Sequence, residues 1–336
     1  MELFKHISAI YNHLQDEESK EIFRRRSLFS LTGTAEYFMD YVKRNPARQR
    51  LENANNENAY IFGCGVHGRR IIKMLKKNWQ GFTDNNTKLW GGDIDGVKII
   101  PPYELPKDAT VYLAVKWYQK EIKNQLLSQG IREENIVNVG EMLIDLSNRQ
   151  YFDEAFLPHT EEEVFVDVGC LNGETSRNFI NWTQNRYEHI YCFEADPHNA
   201  EDCEKKMKDL FESGKMTMVT KAVSDKNGVA SFIMCQNGTS KIGAGDMQVE
   251  TVSLDSMLLD KKPTFIKMDI EGGEYLALKG AKRIISELHP KLAISIYHLP
   301  SDIFDIPALI LSYYSEYKFY IRHYSPYIEE TILYAI

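Results

Sequence analysis

Three carboxylates in the run FIKMDIEGGEYLALKGA, Asp269, Glu271 and Glu274, fall at the end of a predicted strand and in the loop and first helical turn after it. In an open α/β sheet that edge lines the ligand crevice. Carboxylates gathered there can orient an acceptor or bind a hard divalent cation through oxygen. One of them can instead cap the helix and complement its dipole. A second set lies in VFVDVGCLNGETSRNF (164–179). Val164, Phe165, Val166 and Val168 supply the β-branched and aromatic run of a strand buried on both faces. Asp167 and Gly169 end that strand, and Gly173 opens a helix beginning near Glu174. Glycine at such a turn lets a ligand approach bare backbone. Glu194 ends the next strand, HIYCFEADP. A carboxylate there can accept paired hydrogen bonds from a ribose diol, so the pattern predicts a nucleoside cofactor.

A similar turn occurs earlier. In YIFGCGVHGRRIIKMLKK, Gly63, Gly65 and Gly68 match the dinucleotide-binding glycine pattern, and Asp84 stands 21 residues beyond Gly63. That is the expected place for a ribose-binding acid. Two readings stay open for this turn: binding of a nucleotide or nucleotide-sugar, or a docking or dimerisation scaffold with a vestigial loop. His67 has no partner in view.

The elements that must position these groups follow from periodicity and turn residues. Residues 1–57 read as an amphipathic helical arm, with Arg24, Arg25 and Arg26 on a solvated face. Residues 58–150 read as a smaller Rossmann-like α/β domain, with further strands at GFTDNN, 110–115 and 135–140. Residues 151–336 read as a doubly wound α/β sheet closed by an antiparallel C-terminal hairpin. Its predicted strands are 164–169, 189–194, 216–222, 229–234, 248–252, 265–269 and 291–297, followed by YKFYIRHY and TILYAI. A hairpin turn is expected at Lys226–Gly228, helices at 198–213 and 273–287, and a further helix after Pro307.

Composition narrows the function. The chain has 336 residues, 43% of them hydrophobic, which favours two domains with sizeable cores. A net charge of −8 disfavours a nucleic-acid partner, since phosphate neutralisation needs a basic surface. No apolar run suits a membrane span, and the N-terminus lacks a signal-peptide core, so a cytoplasmic location is expected. The five cysteines, Cys64, Cys170, Cys192, Cys203 and Cys235, show no zinc spacing, and Cys64, Cys170 and Cys192, in or beside predicted buried strands, read as small hydrophobes. The C-terminal aromatics read mostly as packing, with a few able to stack on a sugar ring, His323 reads as structural, and a homo-oligomer is left open.

Taken together, DVGCLNG, FEADP, KAVSD and KMDIEGGEYLALKGA resemble the S-adenosylmethionine-dependent methyltransferases of the FkbM family. SIYH (295–298), YIRHYS (320–325) and ETILYAI (330–336) extend the resemblance, which covers residues 160–336. It implies a class I methyltransferase fold, S-adenosylmethionine as cofactor, and O-methylation of a hydroxyl on a sugar, glycoconjugate precursor or secondary metabolite. It also implies roles. Asp167, Gly169, Asn172 and Gly173 would surround the methionine part, with Asp167 reaching its ammonium directly or through water. Glu194 would hold the ribose, with Ala195 and Asp196 beside the adenosine. Ala222 and Val223 would flank the adenine, and Asp225 would accept from its amino group. The chain departs from many members at Leu171, where they have asparagine.

An alcohol acceptor must lose its proton, which requires a base or a metal. His298 follows a strand ending at the same crevice and is the expected base, with Asp269, Glu271 and Glu274 beside it. A divalent metal is not expected. The rival readings are an NAD-dependent sugar-nucleotide oxidoreductase working through Gly63 and Asp84, and a non-catalytic cofactor-binding scaffold.

Overall fold

A computed structural model describes residues 2–54, 57–233, 241–242, 245 and 247–336. Two compact units emerge: residues 1–38, 150–324 and 328–336 form one, and residues 39–149 with 325–327 form the other. Cys235 lies outside the described residues.

The first unit is built on a seven-stranded sheet. Its strands are β1 (Val164–Val168), β2 (His189–Phe193), β3 (Met216–Val219), β4 (Phe265–Met268), β5 (Lys291–Ser295), β6 (Phe319–His323) and β7 (Thr331–Ala335). They lie in the order β6-β7-β5-β4-β1-β2-β3. All pairs are parallel except β5 with β7 and β6 with β7. The order reverses between β1 and β4, and ligands of doubly wound sheets bind at such a switch point. Every residue of β1, β4 and β7 is buried. Phe165, Phe179, Trp182 and Phe265 pack around Phe152 on one side of the sheet.

The N-terminal residues are helical as expected, and they pack on the sheet. Glu17–Thr32 is a helix laid along the outer strand β6. Asp16 caps it by accepting from the Ser19 amide and also holds Arg322 of β6 at 2.6 Å. The Ser19 hydroxyl accepts from the Ile321 amide at 2.9 Å. Ile10, Leu14, Ile22 and Phe23 are buried, so the helices cover a sheet edge that would otherwise be exposed. Arg26 is correspondingly not on a solvated face. It is 4% exposed and donates to the carbonyls of Tyr297 and Ile328 and to Thr331.

Other expectations are corrected locally. The strand expected at 216–222 breaks at Val219, and Ala222–Val223 joins a separate four-stranded sheet. There, Gly228–Ile233 pairs antiparallel with Met247–Val252, not with 216–222 across a Lys226–Gly228 hairpin. The helices expected at 198–213 and 273–287 each divide, at Met207 and at Gly280–Ala281. Pro307 sits inside the helix Asp302–Tyr313 rather than before it. The lost hydrogen bond is offset by burial of Ile303, Phe304, Ile306 and Ile310 on that helix. No helix among the described residues is long and apolar enough to cross a membrane.

The second unit has a six-stranded sheet. Ala59–Phe62 lies at its middle, with Trp79–Thr83 on one side and Thr110–Leu113 on the other, all parallel. Val97–Ile100 and Ile136–Asn138 extend the parallel part, and Asp93–Ile94 adds an antiparallel edge.

Candidate active site

A narrow crevice, about 70 Å³, opens at the carboxyl ends of β1, β2 and β4. Gly169, immediately after β1, forms its floor with a φ of +78°. A Cβ there would stand 2.0 Å from the Asp269 carbonyl oxygen, so only glycine lets the ends of β1 and β4 meet. Gly169→Ala combines that clash with a left-handed backbone, and is expected to lower stability by more than about 2 kcal/mol. Urea unfolding of the variant measures it.

Glu194, just past β2, is buried on the crevice wall. One of its oxygens accepts from the Leu171 amide at 3.0 Å, the other from the Asp196 amide at 2.9 Å. Burial pushes its pKa up, opposed by those two hydrogen bonds. A carboxylate has about four acceptor sites, so roughly half of its capacity remains for a ligand. Ala195, Ala222, Val223 and Phe232 supply an apolar wall, and Asn199 a polar one.

Several expected cofactor residues do other work. Asp167 does not reach the crevice: its carboxylate is fully buried, held by Lys267 at 3.0 Å and by the Ser176 hydroxyl at 2.7 Å. Strand alternation explains this, since Val168 takes the lining position. Asn172 accepts from the Glu174 amide, and Gly173, with φ +82°, opens the helix Glu174–Trp182. Asp196 caps the helix Pro197–Lys206 by accepting from the His198 amide. Asp225 accepts from Ser224 on a turn and is not among the lining residues.

Lys267 is the main group that sequence reasoning passed over. It lies within β4, fully buried, and donates to Asp167, to the Val168 carbonyl and to the Gly169 carbonyl at 2.7 Å. Burial favours the neutral amine, but Asp167 and Asp269 reverse that and hold the pKa up. The ion pair therefore fixes the glycine turn from beneath. Lys267→Met leaves Asp167 charged and buried alone, and is expected to cost about 3–5 kcal/mol. The double variant with Asp167→Leu is expected to recover much of that loss in the same unfolding measurement.

Asp269 and Glu271 line the crevice at the end of β4, and His298 stands beside them. The ring Nε2 is 3.3 Å from Asp269 and 3.7 Å from Glu271, and Nδ1 is 2.9 Å from Glu274. None of these contacts lies on the axis of a well-directed N–H bond, so the attraction is chiefly electrostatic. Glu274 accepts from the Ile270 and Gly272 amides, which clamps the loop as well as the ring. Glu271 has a left-handed φ of +57°, as does Leu171 opposite at +50°. Strained backbone of this kind gathers at ligand sites.

Burial would pull the His298 pKa down, but Glu274, Asp269 and Glu271 together lift it to about 9. The ring is thus held chiefly as the imidazolium at neutral pH. Asp302, packed behind it, is pushed up to about 6 by burial and by the charge of Glu274. Asp269 is held below the usual carboxylate range: burial acts against this, but His298, Lys267 and the Tyr151 hydroxyl prevail.

Tyr151, from the segment before β1, donates to Asp269 at 2.7 Å, and Tyr297 donates to it at 3.3 Å. Oxygen and nitrogen atoms of Asp269, Glu274 and His298 lie within 4.8 Å of one another. Both Glu274 oxygens accept from loop amides. Cys170, Cys192 and Cys203 also converge, but they are buried in the core.

Residues 167–321 match the family model described as the methyltransferase FkbM domain, and residues 55–137 match one described as C2185-like, N-terminal. No curated protein matches the chain. Among solved structures, a methyltransferase FkbM from Methylobacillus flagellatus KT is 20% identical, with a TM-score of 0.52 over 94% of this chain and 99% of its own. That similarity establishes a shared fold. An rRNA methylase from Streptococcus thermophilus is 13% identical over 58% of this chain and 90% of its own, with a TM-score of 0.34. Aeropyrum pernix fibrillarin, bound to S-adenosyl-L-methionine, is 11% identical over 57% and 74%, with a TM-score of 0.38.

Proposed function

Residues 167–321 form a methyltransferase domain of the FkbM family, and from that premise we propose that the protein methylates a hydroxyl group using S-adenosylmethionine. The observation that carries this reading is one crevice bordered by a half-satisfied buried carboxylate, Glu194, and by Asp269 and Glu271, with the His298 ring enclosed behind those two acids. Glu194 suits a ribose diol, and the wall of Ala195, Ala222, Val223 and Phe232 suits an adenine ring. When bound, the cofactor supplies an electrophilic methyl group on a sulfonium.

Everything else falls to this chain's own side chains. Asp269 and Glu271 accept hydrogen bonds from the acceptor and hold its reacting oxygen toward the crevice. Their carboxylates, about a quarter exposed to the crevice, suit a polyol, so a sugar or sugar-bearing precursor is the preferred acceptor class. His298 takes the hydroxyl proton at Nε2 once it has released its own. Glu274 is a positioning residue, holding the ring through Nδ1 and the loop through two amides.

The direct test is calorimetric titration with S-adenosylmethionine and S-adenosylhomocysteine, followed by methyl-transfer assays on hydroxylated acceptors. Binding of both, with a methyl ether as product, is the expected result. A chain that binds neither, or that methylates only amines or thiols, does not have this function.

A further inference from the structure

The methyltransferase chemistry makes no use of a cavity of about 700 Å³ in the second unit. It lies at the carboxyl ends of Ala59–Phe62 and Thr110–Leu113, where the strand order of that sheet reverses. Doubly wound sheets bind ligands at this point. Gly68 packs with its Cα against the Gly63 carbonyl, and a Cβ there would stand 2.0 Å from that oxygen. The helix Val66–Met74 is thereby drawn onto the strand, with its first turn facing the cavity.

Three further observations give the cavity its chemistry. The helix has no side-chain cap, because Gly65 occupies that position and is exposed, with open space around it. Its first-turn amides are therefore available to an anion. Asp84 is pinned on the cavity wall, accepting from the Cys64 amide through one oxygen and from Asn86 through the other, both at 2.9 Å. Each oxygen keeps room for a further donor. Lys116 also lines the wall, as does His67, whose enclosed Nδ1 has no hydrogen-bond partner among the described residues. At the rim, Trp117 and Tyr118 are 60% and 75% exposed, large rings left in water.

We propose that this cavity binds a ribose–diphosphate ligand. The diphosphate lies on the bare helix terminus with Lys116 as counter-charge, the ribose diol on Asp84, and a ring of the ligand against Trp117 or Tyr118. Adenine dinucleotides and nucleotide-sugars share this chemistry. Calorimetry on the full chain with NAD+ and with UDP-glucose separates them: the one that binds is the source, and binding of both assigns the shared element.

Gly65→Asp is the informative variant. Gly65 has an ordinary φ of −77° and room for a side chain, so aspartate fits and caps the helix. Its charge opposes a diphosphate, so affinity is expected to fall at least about tenfold while the melting temperature is held or raised. Lys116→Ala is expected to weaken binding without that capping effect. The proposal is overturned if neither probe binds at millimolar concentration, or if both variants bind as tightly as the parent.

Discussion

Glu194→Ala is expected to weaken S-adenosylmethionine binding by at least about a hundredfold, since two charge-assisted hydrogen bonds are each worth ~1.5–3 kcal/mol. The end of β2 places the carboxylate on the crevice wall, and two backbone amides fix its plane by using one acceptor site on each oxygen. Lys221, which also lines the crevice, is paired with Glu250, and among the described residues no ion pair is formed with Glu194, so its remaining capacity faces the ligand. Glu194→Gln keeps the shape but has a single acceptor oxygen, and is expected to fall between parent and alanine variant. Asp225→Ala is the matched control, because Asp225 sits on a turn outside the lining, and its affinity is expected to be unchanged. Calorimetry reads all four proteins, with melting temperature confirming the fold. Equal affinity in Glu194→Ala and parent would sink the cofactor assignment.

The contrast between Glu194 and Asp167 shows what the chain discloses before folding. Both are acids at the end of a buried strand. One faces the crevice and the other is locked beneath it by Lys267, a cross-strand contact spanning one hundred residues. The lysine carried a signal all the same: a charge inside the run FIKM, buried on both faces, needs a partner of opposite sign. The strand-turn-helix openings and their glycines were legible because they depend on neighbouring residues alone. Tyr151 and Arg26 were not. Each reaches the site from a distant segment, and only the tertiary packing of the N-terminal helices and the 150–153 segment brings them there. The helix through Pro307 misled for a related reason, since long-range burial outweighed a local breaker.

His298 carries the second large effect. Its replacement by alanine is expected to lower kcat by ~10²–10⁴, the range for loss of a general base. Its pKa of about 9 makes the pH dependence more telling than the loss itself. At pH 7 the free protein holds only about 1% of the ring neutral, so a base working from that form gains about tenfold in rate per pH unit until it levels near 9. The kcat/KM for S-adenosylmethionine reports the protein before the cofactor binds and is expected to follow this limb. A sulfonium bound beside an imidazolium repels it, so kcat is expected to level at lower pH. Glu274→Gln removes the nearest of the three carboxylates facing the ring, leaving Asp269 and Glu271, with Asp302 behind. The kcat/KM limb should therefore move toward lower pH, a shift that a purely structural role for Glu274 would not produce. A rate flat from pH 7 to 9.5 in the parent would transfer the base role from His298 to Asp269, the carboxylate already held ionised at its side.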